Sequence, residues 1–180
     1  MKIENTFLLV LDIQEKLMPV IQNNEKIIKY TNILINACKE LNIPVIYTEQ
    51  YPKGLGETIP EIKASLNEAN AKYFSKNSFS AYPVIKDEIL KLKEDGRSSV
   101  IITGVETHIC IYQTIKDLKD EFKVYLPFES VGSRNPENYK NGLDLIKEMG
   151  ASVTNVETIL FDLIKSSEHP SFKVISKLIK

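Results

Sequence analysis

Three side chains of this 180-residue chain are of types that do chemistry, and each stands where an apolar run ends. Asp12 ends LLVLD (8–12), Lys76 ends AKYFSK (71–76), and Cys110 ends VIITGVETHIC (100–110). A carboxylate after four apolar residues belongs at the rim of a sheet, where partial burial raises its pKa and makes it a usable base. A thiol that opens a helix meets the helix dipole and unpaired N–H groups, which favour thiolate. A neighbouring ammonium lowers the thiol pKa further, and the same N–H groups can hold an oxyanion. Each residue also has an ordinary alternative. Asp12 can cap a helix or ligate a metal, Lys76 can be a solvated surface lysine, and Cys110 can be a small core residue. The other cysteine, Cys38, lies on the apolar stripe of a helix and reads as core. Convergence of the three on one rim is the stronger signal.

The elements that must position them alternate between strand and helix. The apolar runs predict strands at TFLLVLDI (6–13), IPVIYTE (43–49), AKYFSK (71–76), SSVIITGV (98–105), FKVYLPFES (122–130) and ASVTNV (151–156). Helical spacing predicts helices over 25–41, 84–95, 109–120, 137–150 and 157–165, with a helical tail after Pro170. Residues 50–70, QYPKGLGETIPEIKASLNEAN, read as one long irregular stretch. Alternation with nearly unpunctuated strands predicts an α/β fold of three αβα layers, a Rossmann-like six-stranded parallel sheet covered on both faces. In the strand order 3-2-1-4-5-6 ligands bind beyond the carboxyl ends, where the order reverses between the first and fourth strands.

The bulk composition sets bounds. The length suits a single domain spanning 1–180. A net charge of −1 makes no electrostatic case for nucleic acid or an anionic membrane. No apolar run reaches the ~18 residues of a spanning helix. The N-terminus lacks a small-residue cleavage site, and two cysteines make no disulfide framework, so the expected location is cytoplasmic with reduced thiols. LDIQEKL follows the first strand where a dinucleotide-binding protein would carry G-x-G-x-x-G.

LDIQ (11–14), K-x-x-F-S-A-Y (76–82) and GVETHIC (104–110) together resemble the isochorismatase-like cysteine hydrolases. TEQYPKGLGETIPEI (48–62) and the C-terminal HPSFKVISKLIK resemble the isochorismatase domain-containing branch. The resemblance covers nearly the whole chain. It implies an Asp–Lys–Cys triad, here Asp12, Lys76 and Cys110; Lys76 is preferred to Lys72 because only Lys76 stands in the K-x-x-F-S-A-Y frame. It implies a non-proline cis peptide at Val105–Glu106 and an oxyanion hole from the backbone N–H groups of Glu106 and Cys110. It implies hydrolysis of a small amide-like C–N substrate through a thioester, and assembly as a homo-oligomer. The metal-binding members carry an aspartate and histidines after the second strand; TEQYPKGLG has none, and His108 and His169 are the only histidines. Neither metal nor cofactor is therefore expected, and nicotinamidase activity is disfavoured. Gln14, Gln50, Tyr51, Phe79 and Tyr82 are candidates to line the substrate pocket, and His108 to hydrogen-bond within its loop. The alternatives are a non-catalytic ligand- or partner-binding descendant of the fold, a vinyl-ether hydrolase, and a redox sensor using Cys110.

Overall fold

The computed structural model describes all residues, 1–180. The chain runs β1 (Thr6–Leu11), α1 (Asn24–Glu40), β2 (Val45–Gln50), α2 (Pro52–Leu55), α3 (Pro60–Glu68), β3 (Lys72–Lys76), α4 (Tyr82–Glu94) and β4 (Ser99–Val105). It continues with α5 (Tyr112–Leu118), β5 (Lys123–Pro127), β6 (Val131–Gly132), α6 (Pro136–Glu148), β7 (Ser152–Thr154), α7 (Val156–Ile164) and α8 (Phe172–Leu178). The strands form one parallel sheet in the order β3-β2-β1-β4-β5-β7, with β6 paired to β4 off that path. The predicted topology is present, with the last predicted strand appearing as β7.

The sheet is buried on both faces, as its unbroken apolar strands require. Period-two alternation splits β1 between them. Leu8 and Val10 pack with Leu34 and Cys38 of α1, Ile62 and Leu66 of α3, Leu160 of α7 and Ile175 of α8. Phe7, Leu9 and Leu11 pack with Ile85 and Ile89 of α4, Ile115 of α5 and Ile146 of α6. Caps fix the helix starts: Asn135 accepts from the amides of Glu137 and Asn138, and Asn155 from that of Thr158.

Two segments differ from expectation. Residues 50–70 are not irregular; they hold α2 and α3. Pro52 and Pro60 each occupy a first helical turn, where a fixed φ and a missing N–H cost nothing. Ile62 and Leu66 then bury α3 on the core. The expected fifth strand over 122–130 stops at Pro127, the chain makes a 3-10 turn over Phe128–Ser130, and it returns to pair with β4.

The 50–70 segment is tied down by a buried carboxylate at the end of β2. Glu49 Oε1 accepts from the amide (2.7 Å) and hydroxyl (2.8 Å) of Thr58, and Oε2 from the Tyr73 hydroxyl (2.9 Å). Lys63 Nζ stands 3.6 Å from Glu49 and over the rings of Tyr47 and Tyr73. Burial pushes the Glu49 carboxyl up, but the bonds from Thr58 and Tyr73 and the Lys63 charge outweigh it and hold it below the ordinary 4.5. A depressed folded-state pKa adds stability above the unfolded value and loses it as pH falls through the folded one. Glu49→Gln is therefore expected to flatten the loss of thermal stability on acidification below pH ~4.5, where the parent keeps its slope. Identical acid slopes in the two proteins would refute the clamp.

The close approach of β4 to β1 depends on Gly104. Its φ is +126°, and an added Cβ would stand 1.9 Å from the Leu11 carbonyl oxygen. Gly96 also has a positive φ, +86°, but faces open space. Gly104→Ala is expected to cost about 3 kcal/mol, lowering Tm by about 6–12 °C, and Gly96→Ala about 1 kcal/mol. Equal shifts in a thermal melt would show that the contact with Leu11 carries no weight.

Candidate active site

Asp12 follows β1 directly. Its φ of +56° lies in the left-handed region, which aspartate tolerates better than most residues, and it ends the strand two residues before the predicted boundary. Its amide still donates to the Thr48 carbonyl (3.1 Å), so the carboxylate is fixed at the sheet rim and fully buried. Oδ1 accepts from the Thr48 hydroxyl at 2.7 Å. Oδ2 lies 2.7 Å from Lys76 Nζ, and neither side chain is exposed.

The sheet register brings Lys76 there. Leu11 pairs with Thr48 across β1 and β2, and Gln50 pairs with Lys76 across β2 and β3. Besides Asp12, the ammonium reaches Gln50 Oε1 (2.7 Å) and the carbonyls of Phe79 (2.9 Å) and Ser78 (3.3 Å). The 77–79 turn thus wraps the ammonium, and all three of its N–H donors have acceptors.

Cys110 approaches from β4. The Val105–Glu106 peptide is cis, and the chain then forms a π turn over Thr107–Ile111 before α5 begins. The Glu106 carbonyl accepts from the amides of Ile109 (3.1 Å) and Ile111 (3.2 Å). Cys110 is 8% exposed, and its sulfur lies beside the Asp12 carboxylate and the Glu106 amide.

The resting charges differ from expectation. Burial, then the Asp12 charge, push the Cys110 thiol up to about 12; Lys76 and the Glu106 amide offset only part of this. Burial therefore works against the thiolate that a helix start and a nearby ammonium favour. Proximity to an ammonium is outweighed because the sulfur is desolvated and faces a carboxylate. Burial also raises the Asp12 carboxyl above its ordinary 3.8, against Lys76, Thr48 and Cys110, which lower it. Cys38 is wholly buried, and burial raises its thiol to about 12 as well.

The pocket candidates fall into different roles. Gln14 is fully buried: Oε1 accepts from the Gln50 amide (2.8 Å), and Nε2 donates to the carbonyls of Gln50 (2.9 Å) and Gly56 (2.7 Å). It braces the loop after β2 and has no donor left for a ligand. Gln50 is likewise engaged, accepting from Lys76 and donating to the Asn77 carbonyl (2.8 Å). Tyr82 turns away: its hydroxyl donates to Glu121, beyond the end of α5, which Lys93 also binds. Tyr51 and Phe79 keep exposed rings. An open cleft of ≈ 400 Å³, lined by Tyr51, Pro52, Lys53, Asn77 and Val84, reaches Lys76.

The GVET turn is buttressed from β6 and α6. Glu106, 8% exposed at its side chain, is paired with Arg134 Nε at 2.7 Å. Asn138 Nδ2 donates to His108 Nε2 (3.3 Å), which leaves Nδ1 to donate to Ser133 Oγ (3.0 Å). His108 is thus a hydrogen-bonding loop residue, as its position suggested. The chain nowhere gathers three His, Cys, Asp or Glu side chains able to hold a metal ion. Sequence reasoning missed Thr48, which binds Asp12; its signal was the register that sets TEQ beside LD. The buried Thr107 hydroxyl, without a partner, was also missed.

Comparison with known proteins agrees with this architecture. The isochorismatase domain matches residues 6–158. Isochorismatase domain-containing protein 2 of Danio rerio is 35% identical over 177 residues, covering 98% of this chain and 87% of that one. A solved structure titled MAR1 ribonuclease, from Caenorhabditis elegans, is 36% identical with a TM-score of 0.93, covering 99% and 91%. YcaC of Escherichia coli, described as an octameric hydrolase of unknown specificity, has the same fold at 21% identity, with a TM-score of 0.88 and coverage of 99% and 88%. The chain belongs to the isochorismatase-like hydrolase family, with the isochorismatase domain-containing proteins among its relatives.

Proposed function

We propose that the protein is a metal-independent cysteine hydrolase of a small amide-like molecule, with Asp12, Lys76 and Cys110 as its catalytic triad. The observation that carries this reading is the buried Asp12–Lys76 ion pair beside the Cys110 thiol. Asp12 is the base: it takes the Cys110 proton as the sulfur attacks the carbonyl carbon. Lys76 keeps Asp12 ionised before the transfer and steadies the sulfur's negative charge during it. The amides of Glu106 and Cys110 hold the oxyanion. Protonated Asp12 then gives its proton to the leaving nitrogen as the C–N bond breaks. A water that Asp12 deprotonates adds to the thioester, and the carboxylic acid leaves with return of the proton to sulfur. The substrate enters by the open cleft beside Tyr51 that reaches Lys76. The protein works in the cytoplasm, needs no cofactor, and assembles as a homo-oligomer, a reading supported by the octameric fold relative.

A thiol that is protonated at rest makes Asp12 the group that limits activity on the acid side. The base must be ionised, so kcat/KM is expected to fall as pH drops through the raised Asp12 pKa. Asp12→Asn should remove that limb together with the activity. A panel of small primary amides, ureido compounds and a short RNA, assayed with parent and Cys110→Ala, tests the reading. Amide turnover that Cys110→Ala lowers by about a thousandfold or more, with mass spectrometry trapping an acyl adduct on Cys110, supports it. Amide turnover that survives Cys110→Ala, or RNA cleavage as the sole activity, would overturn it.

A further inference from the structure

Two loops carry two of the three reactive groups, and one buried hydroxyl joins them. Thr114, on the first turn of α5, is fully buried. Its Oγ1 donates to the carbonyl of Cys110 (2.7 Å) and accepts from the amide of Ala81 (2.9 Å). The first partner is the nucleophile's own backbone. The second ends the turn whose carbonyls at Ser78 and Phe79 hold the Lys76 ammonium.

A threonine in a helix commonly bonds the carbonyl four residues back, which satisfies only its own helix. Here the same oxygen also takes an amide from a different loop. The neighbouring contacts fasten that loop to α5 but do not touch Cys110. Ser80 Oγ donates to Asp117 Oδ2 (2.6 Å) and accepts from the Tyr82 amide (3.2 Å), and Ser78 Oγ donates to the Ser80 carbonyl (2.8 Å). Thr114 alone spans from the ammonium's turn to the thiol's turn. A hydroxyl is required for this, because only a group that both donates and accepts can join a carbonyl to an amide.

We propose that Thr114 is a positioning residue of the hydrolase: its hydroxyl sets the spacing between the Lys76 ammonium and the Cys110 sulfur. It does not touch substrate. The proposal rests on the triad reading above, and deepens it by naming what holds the triad in register. Loss of the hydroxyl lets the 77–81 turn move relative to Cys110, so Lys76 supports Asp12 less well. Proton transfer from sulfur to Asp12 slows, and the acid limb moves to higher pH, because a weaker cation leaves the carboxyl easier to protonate.

The test measures Cys110 alkylation by iodoacetamide from pH 4 to 9 in the full-length protein, read by peptide mass spectrometry with Cys38 as internal control. Three variants are compared with the parent. Thr114→Val keeps the shape and removes the hydroxyl, and Thr114→Ser keeps the hydroxyl. Ala81→Pro removes the donating amide, at a φ of −78° that proline adopts. Thr114→Val and Ala81→Pro are each expected to slow Cys110 by about tenfold, the worth of one buried hydrogen bond, and to shift its acid limb upward. Thr114→Ser should stay within about twofold of the parent. If folded Thr114→Val reacts with the parent's rate and pH profile, the proposal is overturned. If Thr114→Val does not fold, Ala81→Pro decides on the same criterion. A parent Cys110 no more reactive than Cys38 would instead overturn the triad reading, so the two failures are distinguishable.

Discussion

The architecture at the carboxyl end of the sheet depends on one buried ion pair, Asp12 with Lys76. Removing two charges from water costs several kcal/mol for each, and attraction alone repays that only when the remaining lone pairs and protons are also satisfied. Much of the surrounding structure serves this need. Thr48 donates to one carboxylate oxygen, and Gln50, Phe79 and Ser78 take up the ammonium. Gln14 fixes the backbone of Gln50, so the residue that meets Lys76 is itself held. Even the loop after β2 belongs to this network, because Gln14 reaches on to the Gly56 carbonyl.

The same pair decides where the mobile proton rests. Burial and the neighbouring carboxylate push the Cys110 thiol up, and a cation already engaged by that carboxylate offsets only part of this. On the proposed mechanism the sulfur becomes anionic only as a substrate accepts the developing charge.

Much of this was legible in the sequence, for identifiable reasons. Unbroken apolar runs and helical spacing specify a two-sided parallel sheet, so the strand order and the rim position of Asp12, Lys76 and Cys110 followed from pattern. What pattern could not convey was the state of those groups. A helix start and a nearby lysine both argue for thiolate, and burial together with the Asp12 carboxylate opposes them. Gln14 illustrates a second limit. Alternation placed it near Asp12, but nothing in the chain announced that its amide would be consumed by Gln50 and Gly56. Residues 50–70 misled because their turn residues dominate the local pattern, while the prolines that start α2 and α3 read equally well as loop. Tyr82 misled because a residue at the foot of a helix can point along it, here to Glu121.

The strand register has a consequence for how such a chain can change over time. Leu11 is level with Thr48 on one side and Gly104 on the other, and Gln50 is level with Lys76. The rims of four strands are thus locked in one register, with Asp12 just past the end of β1 and Lys76 at the end of β3. Inserting or deleting one residue within any of those strands would slide its rim group by about 3.3 Å and turn it to the opposite face. At the other end of the sheet, loops such as the one around exposed Gly96 carry no such constraint. Length variation among homologues should accordingly collect there and in the outer helices, leaving the intervals within β1 to β4 unchanged while side chains around them diverge.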